Sequence, residues 1–216
     1  MVINMAKFKC FLITFIFSFL IGSFCLTNLH CYASSDENND NNIVKLNDNQ
    51  KDEIENGFMN WAAKRAQLGG MIVSDDYFDH GAAGMGDWFA NTPNGRVQVQ
   101  NQGNPGSSHF KLHAIGGCIF GTSTDGKVGR DDDLDICAEE YQSLDNNKPM
   151  DKYLLADNGV VYELKNQGVL DETTGFCEYS DDGTNPNEFT QTDRKWIVSK
   201  DKAAQRELKK LINEYK

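Results

Sequence analysis

Asp87-Trp88-Phe89-Ala90-Asn91-Thr92-Pro93-Asn94-Gly95-Arg96-Val97-Gln98-Val99-Gln100 is the stretch on which the reading of the fold turns. Thr92-Pro93-Asn94-Gly95 is turn chemistry, and Asn-Gly is the strongest short hairpin signal because both residues accept positive φ. On the exit side Val97 and Val99 alternate with Gln98 and Gln100, which predicts one buried and one wet strand face. The stretch therefore reads as a β-hairpin, with strands over 87–91 and 96–100.

Working outward, His109–Phe120 reads as a further strand region with a bulge or bend at Gly116-Gly117. Lys152–Ala156 and Val160–Leu164 form a second hairpin around Asp157-Asn158-Gly159. Gly175–Tyr179 and Lys195–Val198 are short strand candidates. Two helical patterns bracket the strands. Ile54, Phe58, Trp61, Ala62 and Ala66 make one apolar stripe, capped by Asp48 or Asn49 and ended by Gly69-Gly70. Ala204, Leu208, Leu211, Ile212 and Tyr215 make the other, capped by Ser199 or Asp201. The expected fold is α+β: an antiparallel sheet built from hairpins, flanked by an N-terminal and a C-terminal amphipathic helix.

The first residues read differently. Lys7 and Lys9 precede an apolar run from Cys10 to Leu26, and Cys31-Tyr32-Ala33 supplies the small residues of a cleavage site. Residues 1–33 are thus expected to be a secretory signal peptide, 34–48 a flexible polar linker, and 49–216 a single domain. No membrane attachment is expected after cleavage. The whole chain carries a formal charge of −11, and its only basic residues before position 34 are Lys7 and Lys9. So acidic a surface, with no clustered Lys or Arg, excludes nucleic acid as a partner. Three cysteines, Cys118, Cys137 and Cys177, follow the signal; they allow one disulfide, and Cys118–Cys137, which closes the shortest loop, is the expected bridge.

Several groups of residues invite a chemical reading. Tyr77, Asp79, His80, Asp87 and Trp88 combine stacking faces with carboxylates around a Gly- and Ala-rich loop, and are the expected ligand-binding surface. Asp131, Asp133 and Asp135, with Asp125 nearby, imitate three positions of a calcium loop. The glycine and the bidentate glutamate that such a loop needs are replaced by Ile136 and Gln142, so calcium is a weak candidate and no other cofactor is expected. His113 and Cys118 lie five apart and face opposite ways on a regular strand. Ser107-Ser108 stand beside His109 without the Gly-x-Ser-x-Gly elbow of hydrolases. No catalytic set is assigned.

Gln100-Asn101-Gln102-Gly103-Asn104-Pro105, followed by Phe110, resembles a motif of a family of secreted or surface domains of unknown function from low-GC Gram-positive bacteria. The helix with Phe58 and Trp61 and the Asn-Gly turn before it extend the resemblance over residues 50–120. It implies a secreted surface domain and brings no catalytic residues with it. The combined expectation is a secreted or cell-surface protein that binds an envelope polymer or a protein partner without turnover. The alternative is an extracellular hydrolase of cell-wall or host polymers.

Overall fold

The computed structural model describes residues 43–75, 84–131, 144–145, 147–166, 175–186 and 196–216. The fold is mixed α+β, with two helices and a mostly antiparallel open sheet. Helix α1 spans Asp48–Gly69. Its cap is Asn47, one residue earlier than the sequence suggested. Asn47 accepts from the Gln50 amide at 3.0 Å, and the Gln50 side chain accepts from the Asn47 amide at 2.9 Å. This reciprocal box selects Asn47, since only Asn47 has a Gln three positions on. Gly70 ends the helix at φ 65°.

The strands are β1 (Ile72–Ser74), β2 (Trp88–Thr92), β3 (Gly95–Gln100), β4 (Leu112–Gly121), β5 (Gly129–Arg130), β6 (Met150–Ala156), β7 (Val161–Asn166), β8 (Cys177–Glu178) and β9 (Ile197–Val198). Helix α2 (Lys202–Asn213) follows, capped by Asp201, which accepts from the amides of Ala203 and Ala204. The main path through the sheet is β8-β2-β3-β4-β6-β7-β9. The β2–β3 hairpin pairs Ala90 with Val97 and Thr92 with Gly95, and β6–β7 pairs Leu155 with Val161.

The sheet is antiparallel for the most part, as expected, but two of its pairings are parallel. β3 runs parallel to β4, with Val97 opposite Leu112 and Gln98 opposite His113, and β1 runs parallel to β5. Parallel neighbours need a crossover, not a tight turn. Residues 101–111 supply it, and they include a 3₁₀ turn at Ser107–His109. His109 therefore precedes the strand on which it was expected to lie.

Central strand β4 is covered on both faces. Cys118 and Phe120 join Ile54, Phe58, Met59, Ala62, Ala204, Leu208 and Ile212 in a core beneath the two helices. Between them Ile119 points the other way, toward Ala90, Leu144, Leu154, Phe176 and Trp196. Double coverage explains why Ile115–Phe120 of β4 and Tyr153–Ala156 of β6 carry no alternating polar positions. The helices touch closely: a Cβ on Gly57 of α1 would come within 2.8 Å of Leu211 Cδ2 on α2.

Candidate functional site

Asp87 is fully buried, and its carboxylate is used completely. Oδ1 accepts from the amides of Gln102 (2.7 Å) and Asn104 (3.1 Å); Oδ2 accepts from the Gly106 amide (2.7 Å) and Gln98 Nε2 (2.9 Å). Four donors fill the acceptor positions a carboxylate offers. The polar loop after β3 is thus wound around one buried charge, and Gly103 and Gly106 take the positive φ values, 87° and 92°, that the winding requires. Asp87 organises this loop from inside and does not present its carboxylate to a ligand. Trp88 is half-buried, its ring edge-on to Phe176 with centroids 6.4 Å apart. Tyr77, Asp79 and His80 lie outside the described residues, as do Asp133, Asp135 and Cys137.

Of the calcium candidates, Asp125 accepts from the Ser123 hydroxyl and the Lys127 amide, and the hydroxyl contact holds its pKa below the usual carboxylate range. Asp131 is buried, with the Lys127 ammonium 3.6 Å from its carboxylate. A cation of the chain already occupies this position. Among the described residues no three His, Cys, Asp or Glu side chains are grouped so as to hold a metal ion.

Cys118 is not in the bridge expected with Cys137: it carries a free thiol with no exposure to solvent, buried in the core under the two helices. Burial pushes its pKa well above that of an ordinary thiol, and the charges of Glu55 and Asp75 push it further, so it stays protonated. Cys177 is likewise a buried free thiol, accepting from Asn91 Nδ2 at 3.3 Å.

Two arrangements that sequence reasoning did not anticipate lie along β4. In the first, one edge of the strand pairs with β3 at Leu112 and His113, and with β1 from Ile119 to Gly121. Between these pairings the sheet splits. Glu55 of α1 reaches into the split and accepts from the Gly117 amide at 2.9 Å, taking the place of a strand partner. Gly116 makes room, since a Cβ there would fall 1.9 Å from Glu55 Oε1. The β4–β6 register shifts between Ala114 and Gly116, the bulge expected from the glycine pair. The split opens into a cleft of about 220 Å³ lined by Glu55, Asp75, Val99, Gln100, Ala114, Ile115 and Gly116. Asp75 is anchored by Arg130 at 3.2 Å.

The second arrangement joins the 3₁₀ turn, the start of β4 and the β6–β7 turn. Ser107 Oγ lies 3.2 Å from His113 Nε2, and His113 Nδ1 lies 3.0 Å from Asp157 Oδ2. The Asp157 side chain is 6% exposed and that of His113 26%, while Ser107 is exposed. The Ser107 carbonyl also approaches Nε2, at 3.1 Å. The hydrogen bond to Asp157 raises the His113 pKa above the usual value; burial opposes it, the Ser107 carbonyl adds to it, and the Lys51 ammonium lowers it. Lys51 and Glu55 are one turn apart on α1, so the same helix serves this relay and the cleft. His109 is not part of the relay: its ring stands edge-on to Phe110 and Tyr179.

Compared with known proteins, the chain matches no family model, no curated relative and no solved structure.

Proposed function

We propose that this is a secreted or cell-surface binding protein, and that its split-sheet cleft holds one ring of a hydroxyl- and amine-bearing envelope polymer. The observation that carries the reading is the cleft's chemistry: two carboxylates, Glu55 and Asp75, and the Gln100 amide around about 220 Å³. Drug-sized sites run to roughly 300–1,000 Å³. The cleft thus suits one unit of a polymer whose remainder lies over the surface. Hydroxyl and ammonium groups donate, and the lining is rich in acceptors. The chain's formal charge of −11 favours a cationic or neutral polymer over an anionic one. The leader-like N-terminus and the resemblance of Gln100–Pro105 to secreted surface domains support the location.

Titration calorimetry with glucosamine oligomers tests the reading. Binding should be measurable, and should weaken about tenfold in Gln100→Ala and in Asp75→Asn, the loss of about 1.4 kcal/mol. The melting temperature of Gln100→Ala should stay close to that of the parent. Absence of heat with glucosamine oligomers, or equal binding by both variants, would remove the cleft as the site.

A further inference from the structure

We infer that Ser107, His113 and Asp157 form an acyl-transfer site that cleaves short-chain esters at the protein surface. The inference is independent of what the cleft binds. Three observations converge. The nucleophile, base and orienting acid are in sequence Ser–His–Asp contact, at 3.2 Å and 3.0 Å, on the two different imidazole nitrogens. The acid is buried, the base half-buried and the hydroxyl exposed, the gradient that a substrate arriving from solvent requires. Each member is held by backbone that other contacts fix. The Asp157 amide donates to the His113 carbonyl at 3.0 Å, its carbonyl accepts from the Val44 amide at 3.0 Å, and the loop leading to Ser107 is wound on Asp87.

With Nδ1–H donated to Asp157, Nε2 presents its lone pair to the Ser107 hydroxyl. Ser107 Oγ attacks the ester carbonyl carbon as its proton passes to Nε2. The bond to the alcohol oxygen then breaks, and the alcohol leaves with the proton from Nε2. Solvent water repeats the sequence on the acyl-serine: it gives a proton to Nε2, forms the carboxylic acid, and Ser107 Oγ recovers the proton. No oxidant or further reactant enters. An ester fits better than an amide, because an exposed serine has little enclosure to stabilise a poor leaving group. A short acyl chain fits better than a long one for the same reason, since an exposed turn buries little apolar surface.

The Ser107 carbonyl gives the site a pH dependence. When His113 is charged, Nε2–H has that carbonyl as acceptor at 3.1 Å, and the base is unavailable. The charged and titratable groups acting on His113 are Asp157 from the β6–β7 turn and Lys51 from α1, with the neutral Ser107 on the loop. Hydrolysis should therefore rise with pH to a plateau reached once His113 is neutral.

Full-length protein incubated with p-nitrophenyl acetate, and separately with a fluorophosphonate, tests the site. Turnover above the buffer rate is expected, falling at least about 100-fold in Ser107→Ala and in His113→Gln. Ser108→Ala should be unchanged. Peptide mass spectrometry should place a single phosphonate adduct on Ser107. An adduct on Ser108, no adduct at all, or undiminished turnover in Ser107→Ala would overturn the inference, and these readouts do not depend on glucosamine binding.

Discussion

Asp87 and Glu55 are two carboxylates that do the same elementary thing with opposite consequences. Each leaves its own element to accept backbone N–H groups from a segment that lacks a regular partner. Around Asp87 three amides and one side-chain amide converge, and every acceptor position is used. Glu55 accepts from the amide of Gly117 at the edge of a cleft. Burial separates the two: Asp87 is closed off from solvent, whereas Glu55 is half-buried and lines an open cleft. Acidic residues in a sequence look alike in this respect; only the chain segments that gather around them tell the two apart.

Removing the saturated carboxylate should do the most damage. Asp87→Ala strands four donors in a site without solvent, and stability should fall by about 3–5 kcal/mol in chemical denaturation. A loss below about 1 kcal/mol would show that the loop holds its shape without its central charge. At the cleft-lining carboxylate the expected effect is smaller. Gly116→Ala places a methyl where Glu55 now lies, so Glu55 must withdraw and leave the Gly117 amide unpaired. A cost of about 1–3 kcal/mol is expected, together with weaker glucosamine binding. Unaltered stability and binding would mean that Glu55 does not define the cleft.

The smallest effect concerns pH and sharpens the contrast, because His113 ties the Asp87-wound loop to the β6–β7 turn. Its folded pKa is raised, so the charged ring is favoured by the fold. The stability it adds is complete below the unfolded pKa of about 6.5 and is lost as pH rises through the higher folded value. Melting temperatures recorded across that interval should decline in the parent protein and decline less in His113→Gln. Identical slopes would show that the Asp157 contact does not discriminate between the ring's protonation states.

Much of the architecture was legible because its signals are local. Asn94-Gly95 turns the β2–β3 hairpin, Asp157-Asn158-Gly159 turns β6–β7, and the stripe Ala204, Leu208, Ile212 marks the buried face of α2. The parallel pairing of β3 with β4 was not legible, because it depends on how residues 101–111 wind around Asp87, and no periodicity encodes that. The apolar stripe marks helix α1, but its cap, Asn47, lies one residue before the candidates, because Asp48 and Asn49 are cap formers too. The sites were the least legible part. His113 and Asp157 are separated by 44 positions, and Glu55 and Gly117 by 62. Ser107 has no nucleophile elbow in its sequence; the 3₁₀ turn presents it by another route. The one available signal was Asp157 itself, an acid in a turn whose burial the sequence does not disclose.

The close contact of Gly57 with Leu211 also has a kinetic side. A ribosome releases the chain from its N-terminus, so Ile54, Phe58 and Ala62 emerge long before Leu208 and Ile212, which share their core. Until those last residues arrive, the first helix has only part of its cover, and β1 must wait for β4 to find its place. Folding of this unit therefore waits for the second helix, and until it docks part of the apolar face of the first stays uncovered.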